Sequence, residues 1–429
     1  MHKYILSEFN IFMIPAGKPK FNTLFAVKSF VSFCASIILM FFVSCNSNSS
    51  SKDGNSRDSI AILNLPAPGI ISNAEFSRIK YGCELWYDSI LKPGNFNGGI
   101  LVAKNGSTIF ERYNGSGHLG HADTITATTP THIASVSKTF TAMAVLKLVQ
   151  DGKILLDDEL NKYFPAFNYP GVTIRNLLDH RSGLPNYLYF MEELGWNKSV
   201  YIKNQDIFDY LVTYKSKIKN IASPDHHFTY CNTNYALLAL LIEKISGVSY
   251  PQFIKEHFFV PLQMTNSFVF TAEDSARVNP SYDWRGTLIP MNFLDHVYGD
   301  KNIYSTPRDL LKWDRALSSN LIFKAEILQQ AYAPYSNEKP GVRNYGLGWR
   351  MNIYPDGKKI IYHNGWWHGN NAVFIRIIDE DATIILMGNR FTRGIYKARN
   401  LVTIFYPDLA AVPEDEGETT KQPGNANKK

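Results

Sequence analysis

The sequence predicts an α+β body: an antiparallel sheet drawn from both ends of the chain and flanked by helices, with a mostly helical insertion between them. Two observations lead there. Strand-like runs sit near both ends, and the helical periodicities fall in the middle. Gly98–Lys104 and Ser107–Tyr113 are apolar-rich runs joined by Asn105-Gly106, the dipeptide that suits a two-residue hairpin turn. Toward the other end, Gly346–Tyr354, Lys359–His363, Ala372–Ile378 and Thr383–Gly388 read as strands, separated by Pro355-Asp356-Gly357 and Asp379-Glu380-Asp381, both turn-forming clusters. Between them, apolar residues recur at helical spacing in Lys138–Asp151, closed by Gly152, in Thr233–Ser246, closed by Gly247, and in Pro307–Ser318; glycine just past the last turn is the usual helix stop.

The ends bound this body to residues 75–408. Lys18, Lys20 and Lys28 precede the apolar run Ser29–Val43, which is short for a membrane span and carries the basic flank of a signal peptide, so residues 1–44 are expected to be an export signal. Phe42-Val43-Ser44-Cys45 resembles the lipobox of bacterial lipoproteins, with Phe42 where leucine or valine is usual; Cys45 is then the lipidation site and the membrane anchor. A plain cleaved signal and an uncleaved anchor are the other readings. The Ser-, Asn- and Gly-rich stretch after Cys45 reads as a flexible tether over 45–74, and 409–429 as a disordered tail. Together these place the protein in a bacterial cell envelope.

Composition excludes little and favours no polyanion. Of the formal net charge of +6, half lies in residues 1–44, which carry four Lys and one Glu, so no nucleic-acid partner is read from it. The cysteines Cys34, Cys45, Cys83 and Cys231 have neither zinc-site spacing nor the density of a disulfide scaffold. A Cys83–Cys231 bridge stays open to the sequence. No metal motif appears, and no cofactor is expected: His226 and His227 are adjacent and so do not share a helix face.

Ser-x-x-Lys occurs at Ser49, Ser77, Ser89, Ser135, Ser216 and Ser336, and spacing cannot choose among six. Context can. Ser135-Val136-Ser137-Lys138 opens a long helical run, which puts a serine where a helix N-terminus favours developing negative charge. Residues three apart share a helix face, so the Lys138 nitrogen can approach the Ser135 oxygen as a base must approach its nucleophile. A lysine of ordinary basicity is neutral in about one molecule in a few thousand at pH 7, so the role requires burial or a cationic neighbour. An N-capping serine beside an exposed lysine fits the same tetrad.

Two further motifs follow in order. Tyr230-Cys231-Asn232 leads into the helix Thr233–Ser246, whereas the rival Tyr335-Ser336-Asn337 precedes a Pro- and Gly-bearing loop and is expected at the surface. His363-Asn364-Gly365 ends the strand that begins at Lys359. With Thr131-His-Ile-Ala-Ser-Val-Ser-Lys-Thr-Phe-Thr-Ala142, these make the chain resemble the serine β-lactamase and penicillin-binding-protein superfamily, in its class C β-lactamase, DD-peptidase and carboxylesterase branch, over about Phe96 to Tyr406. The resemblance implies a β-lactamase/transpeptidase-like fold and a serine hydrolase acting on a small-molecule or peptide substrate with a reactive carbonyl. Ser135 is then the nucleophile, with Lys138 and Tyr230 jointly moving its proton. Asn232 orients substrate, His363 completes the network, Gly365 admits substrate beside the strand, and the Ser135 and Trp366 amides form the oxyanion hole. Asn176–Pro185, Pro261–Asn266 and Gly299–Thr306 resemble the family as fold markers, and His180 among them reads as a structural histidine.

Histidine in place of lysine at His363 removes a fixed positive charge and points toward the peptidase and esterase branches rather than strong antibiotic hydrolysis. Trp366, Trp367 and His368 are expected either to line the entrance for an apolar or aromatic acyl group or to pack on the sheet. A catalytically idle lipoprotein that binds peptidoglycan peptides or a partner through the same cleft is the competing reading.

Overall fold

Asn105 and Gly106 both take positive φ, 51° and 72°, the pair of left-handed conformations that a type I′ hairpin needs. They join β1 (Gly98–Lys104) to β2 (Ser107–Asn114) in a computed structural model that describes residues 60–409. The remaining sheet strands come late in the chain: β3 (Arg343–Tyr345), β4 (Arg350–Ile353), β5 (Lys359–Trp367), β6 (Asn370–Ile377) and β7 (Ala382–Gly388). The seven strands lie in the order β2-β1-β7-β6-β5-β4-β3, and every neighbouring pair is antiparallel. β1 and β7 pair without a break from Gly98 opposite Gly388 to Lys104 opposite Ala382, so the two chain ends close one sheet as expected.

Side chains alternate across these strands, and two cores result. Ile100, Val102, Val373, Ile375, Ile384 and Leu386 face one way, where they pack with Ile79 and Cys83 of α1 (Asn73–Trp86) and with Ile395, Leu401 and Val402 of the 3₁₀ segment Arg393–Ile404. Leu101, Ala103, Phe374, Ile385 and Met387 face the helical insertion. There α2 (Ser137–Gln150) and α3 (Asn232–Ser246) are buried along most of their length. In α4 (Pro307–Ser318), Thr306 caps the start by accepting from the Asp309 amide, worth about 1 kcal/mol.

The structure departs from the sequence reading in three places. The expected strand Gly346–Tyr354 is strand only over β4, because Gly348 turns at φ +85° against α2, where an added Cβ would lie 2.2 Å from the Ala142 Cβ. β5 runs on beyond His363 to Trp367, held by β6. α1 and the 3₁₀ segment Arg393–Ile404 were not expected as regular elements.

Cys83 and Cys231 are buried free thiols in different cores, so they do not form a bridge. Ile60–Ser72 has no regular secondary structure, yet the Leu63 amide donates to the Pro261 carbonyl at 2.8 Å and the Gly69 amide to Asn105 at 2.7 Å. The stretch expected as tether therefore meets the body from Leu63, and α1 starts at Asn73, inside the expected 45–74. The signal run Ser29–Val43, Cys45 and the tail beyond Leu409 lie outside the described residues.

Candidate active site

The turn that carries Ser135 is pinned from both sides. Thr131–His132 forms a short strand against Ile303–Ser305, and the Ile133 amide continues it by donating to the Ile303 carbonyl at 2.9 Å. Ala134 then takes φ +47°, a left-handed conformation costly for a residue with a Cβ, while its amide donates to His132 Nδ1 at 3.1 Å. One 3₁₀ turn, Ala134–Val136, leads into α2. Ser135 is half-buried there, and Lys138, one turn on, is fully buried. Their Nζ and Oγ stand 3.1 Å apart, and Nζ also donates to the Asp300 carbonyl at 2.7 Å.

Asp300 sits on a segment packed against α3 and bonded to α2. Gly299 has φ +94°, and an added Cβ would lie 2.4 Å from the Tyr235 carbonyl. Thr141 Oγ1 donates to the Gly299 carbonyl at 2.6 Å, and the Ile303 amide donates to Ser137 Oγ at 3.1 Å. The lysine that faces Ser135 is therefore held by backbone rather than by a mobile side chain. Gly299–Thr306, expected as a fold marker, reaches the site through that carbonyl.

Tyr230 comes in from the turn before α3. Its half-buried ring lies 5.0 Å from Lys138 Nζ, 5.0 Å from the Arg350 guanidinium and 6.3 Å from the His363 ring. His180, at φ +61°, accepts from the Cys231 amide at 3.1 Å and lies 4.4 Å from the Tyr230 ring, tilted at 43°; it shapes the Tyr230–Asn232 turn, as a structural histidine does. Asn232 opens α3, half-buried.

His363 is fully buried. Its Nδ1 donates to the Asn364 carbonyl at 2.7 Å, leaving Nε2 to accept from the Tyr345 hydroxyl at 3.4 Å, a tautomer assigned from these partners. Burial, and after it the charges of Arg350 and Lys138, hold this imidazole well below its usual range, so it is neutral at pH 7. The basic side chains near Tyr230 are Lys138 and Arg350.

His132 and His180 are likewise held down chiefly by burial, His132 to about 4. An unfolded histidine binds a proton near pH 6.5, so between that value and about 4 the unfolded chain binds more protons and stability falls as pH falls. Each such group costs about 1.4 kcal/mol per pH unit in that window. His257 and His296, also lowered chiefly by burial, act in the same sense; Asp179, which burial raises to about 7, and Asp381, which burial also raises, act in the opposite direction and are outnumbered. We expect a lower melting temperature at pH 5 than at pH 7; an equal or higher one would contradict the neutral imidazoles.

β4 pairs with β5 only from Lys359 to Tyr362. Beyond that, β5 runs past the turn that carries Ser135: a Cβ on Gly365 would lie 2.3 Å from the Ile133 carbonyl oxygen and 3.2 Å from the Ser135 amide nitrogen. Only glycine allows this approach. The structure thus gathers Ser135, Lys138, Tyr230, His363 and Gly365 from four separate elements. Tyr335, from the rival triplet, donates instead to the Gln330 carbonyl at 3.2 Å and lies near Arg175.

The sequence model of the family described as Beta-lactamase matches residues 90–404. The chain belongs to the beta-lactamase family. It is 29% identical over 356 residues to penicillin-binding protein 4* of Bacillus subtilis (strain 168), covering 77% of each chain. Among solved structures it resembles the octameric penicillin-binding protein homologue from Pyrococcus abyssi, at 25% identity and a TM-score of 0.64, covering 77% of each chain. The fold is also that of a D-amino acid amidase from Ochrobactrum anthropi SV3, at 21% identity and a TM-score of 0.61, over 78% of this chain and 98% of that one.

Within this beta-lactamase-family site, the three residues after Gly365 divide. The Trp366 ring turns to the far face of the sheet, against Phe391 at 5.1 Å, and its Nε1 donates to the His368 carbonyl, so it packs rather than lining the entrance. Trp367 and His368 face the insertion side and share Asp295: Trp367 Nε1 donates to Oδ1 at 2.5 Å, and His368 Nε2 lies 3.0 Å from both oxygens. Burial works to raise the Asp295 carboxyl, but these partners outweigh it and hold the group below its usual range. With His132, Tyr282, Met291 and Tyr304, they line a cavity of about 540 Å³. Among the described residues, no cluster of three or more His, Cys, Asp or Glu side chains is arranged to hold a metal ion.

Proposed function

We propose that this beta-lactamase-family serine hydrolase is exported and cleaves an amide or ester through an acyl-enzyme on Ser135, acting on D-amino-acid peptides, on esters or, weakly, on β-lactams. The observation that carries the reading is the 3.1 Å approach of buried Lys138 Nζ to half-exposed Ser135 Oγ, within hydrogen-bond reach for a base. Ser135 Oγ bonds to the substrate carbonyl carbon and its proton passes to Lys138, while the Ser135 and Trp366 amides receive the oxyanion. The bond to the leaving nitrogen or oxygen then breaks as Lys138 and Tyr230 return a proton to it. Water adds to the acyl ester and releases Ser135.

Direction along β5 separates the two halves of the substrate. Tyr230 stands at the His363 end, so the leaving group belongs there and the acyl group toward the Trp367 end. The neutral His363 supports peptides and esters over antibiotics that rely on a cation at that position. The names of the relatives, a penicillin-binding protein and a D-amino acid amidase, support the same classes. The test is turnover by residues 46–412 of D-alanyl peptides, short-chain p-nitrophenyl esters and nitrocefin, each against Ser135→Ala. Hydrolysis of at least one amide or ester that Ser135→Ala loses is expected; no turnover of any of them would favour the idle binder.

Anchoring by lipid at Cys45 in a bacterial envelope is part of this proposal, supported by Phe42-Val43-Ser44-Cys45 after the apolar run. Mass spectrometry of the mature protein is expected to find a lipid-bearing Cys45 as its first residue. A chain that still carries Ser29–Val43 would sink the assignment.

A further inference from the structure

Directly behind Lys138 lies a second buried lysine that the acyl-transfer steps do not use. Lys301 and Asp300 form an ion pair at 3.4 Å with both side chains buried. Both also meet Tyr187, whose hydroxyl donates to Asp300 Oδ2 at 2.9 Å and receives a hydrogen bond from Lys301 Nζ. The other carboxylate oxygen, Asp300 Oδ1, is buried and accepts from no described residue. Lys301 further lies 4.6 Å from the Trp367 ring. Asp300 is also the residue whose carbonyl takes Lys138 Nζ at 2.7 Å. One residue therefore presents a carbonyl to the base and a carboxylate to a second cation.

Two isolated charges in such a place would act on Lys138 in opposite senses. A bare carboxylate stabilises the ammonium, which cannot accept a proton; a bare ammonium destabilises it. We propose that Asp300, Lys301 and Tyr187 are positioning residues for the base: the Asp300 carbonyl aims Lys138 Nζ at Ser135, and Lys301 with Tyr187 compensates the Asp300 carboxylate so that Lys138 can work as a neutral amine. The proposal rests on the acyl-enzyme reading above.

The other groups around these charges do not take over that role. Lys138 Nζ faces the rings of Tyr230 and Tyr235 at 5.0 Å and 5.6 Å. It also acts on His180, His363 and Cys231, of which the two imidazoles are buried and neutral and the thiol is raised by burial to about 11. Arg350 lies beyond Tyr230, near its ring. Asp295, the other carboxylate felt by Lys301, is paired with His368. Burial, first among the influences on Lys301, works against its charge, and Asp300 supports it.

The experiment is the rate of Ser135 labelling by a fluorophosphonate probe as a function of pH. Labelling is expected to rise with pH, with a midpoint set by the group that takes the Ser135 proton. Lys301→Met leaves the carboxylate uncompensated and should move the midpoint up by about one pH unit; Asp300→Asn leaves a lone ammonium and should move it down by about one. The double variant Asp300→Asn/Lys301→Met should return near wild type. Tyr187→Phe removes one donor without stranding a charge and should shift the midpoint upward by less, which keeps the test alive if a single charge variant does not fold. Loss of packing alone would not give opposite shifts that cancel. Midpoints that stay put, or that move in the same direction in both charge variants, overturn the proposal. A wild-type protein that is not labelled at all refutes the acyl-enzyme reading instead.

Discussion

Ser135→Ala is expected to abolish covalent labelling by a fluorophosphonate or a fluorescent penicillin and to lower turnover of any accepted ester or amide by roughly 10⁴ to 10⁶-fold. The size follows from what remains. Lys138, held by the Asp300 carbonyl at 2.7 Å, keeps its place but loses the oxygen it would deprotonate, and no hydroxyl is left to form the acyl ester. The amides proposed to receive the oxyanion belong to the backbone and survive the substitution, so a small residual rate over water is expected. The side chain removed is one hydroxyl at a half-buried position, so the melting temperature should change little. Undiminished labelling would move the nucleophile elsewhere.

Gly365→Ala should cost about 10² to 10³ in kcat, the usual consequence of losing one oxyanion donor. The new methyl group would meet the Ile133 carbonyl at 2.3 Å and the Ser135 nitrogen at 3.2 Å, and both are backbone atoms in a turn already held by the Ile303 carbonyl and His132. Neither can yield cheaply, so β5 must move away from the nucleophile and carry the Trp366 amide with it. Overpacking of this kind typically costs about 1–3 kcal/mol of stability. Measuring kcat and the thermal midpoint together separates the two effects, and a variant with wild-type kcat would show that the Trp366 amide is not an oxyanion donor.

The parts of the site that were legible in the sequence are those where side-chain identity and local setting carry the signal. Ser135 and Lys138 stand three apart at a helix start, Tyr230 precedes a strongly periodic helix, and Gly365 follows His363 on a strand. Asp300 was not legible, because its contact with Lys138 runs through a backbone carbonyl, which every residue possesses. Arg350 was hidden for a related reason: it reaches Tyr230 from a strand 120 positions on, and nothing local marks that distance. Trp366 shows a signal that was present and not followed. Alternation along β5 places His363, Gly365 and Trp367 on one face and Trp366 on the other, so three consecutive residues could not all line one entrance. In the fold, α1 escaped because it buries only Ile79 and Cys83, too few apolar positions to establish a period.

The pairing of β1 with β7 has a consequence for how this chain comes to exist. Gly98 waits for Gly388, so the sheet's middle cannot form during synthesis until nearly the whole chain has emerged. Contacts of such long sequence separation slow folding, whereas α2 and α3 can form from local interactions. A chain interrupted before β5 would possess Ser135 and Lys138 on an intact helix but no strand to stand beside them. The same delay leaves the β1–β2 hairpin with an open edge toward other chains. A pulse of proteolysis during refolding should cut the hairpin's flanks long after α2 has become resistant.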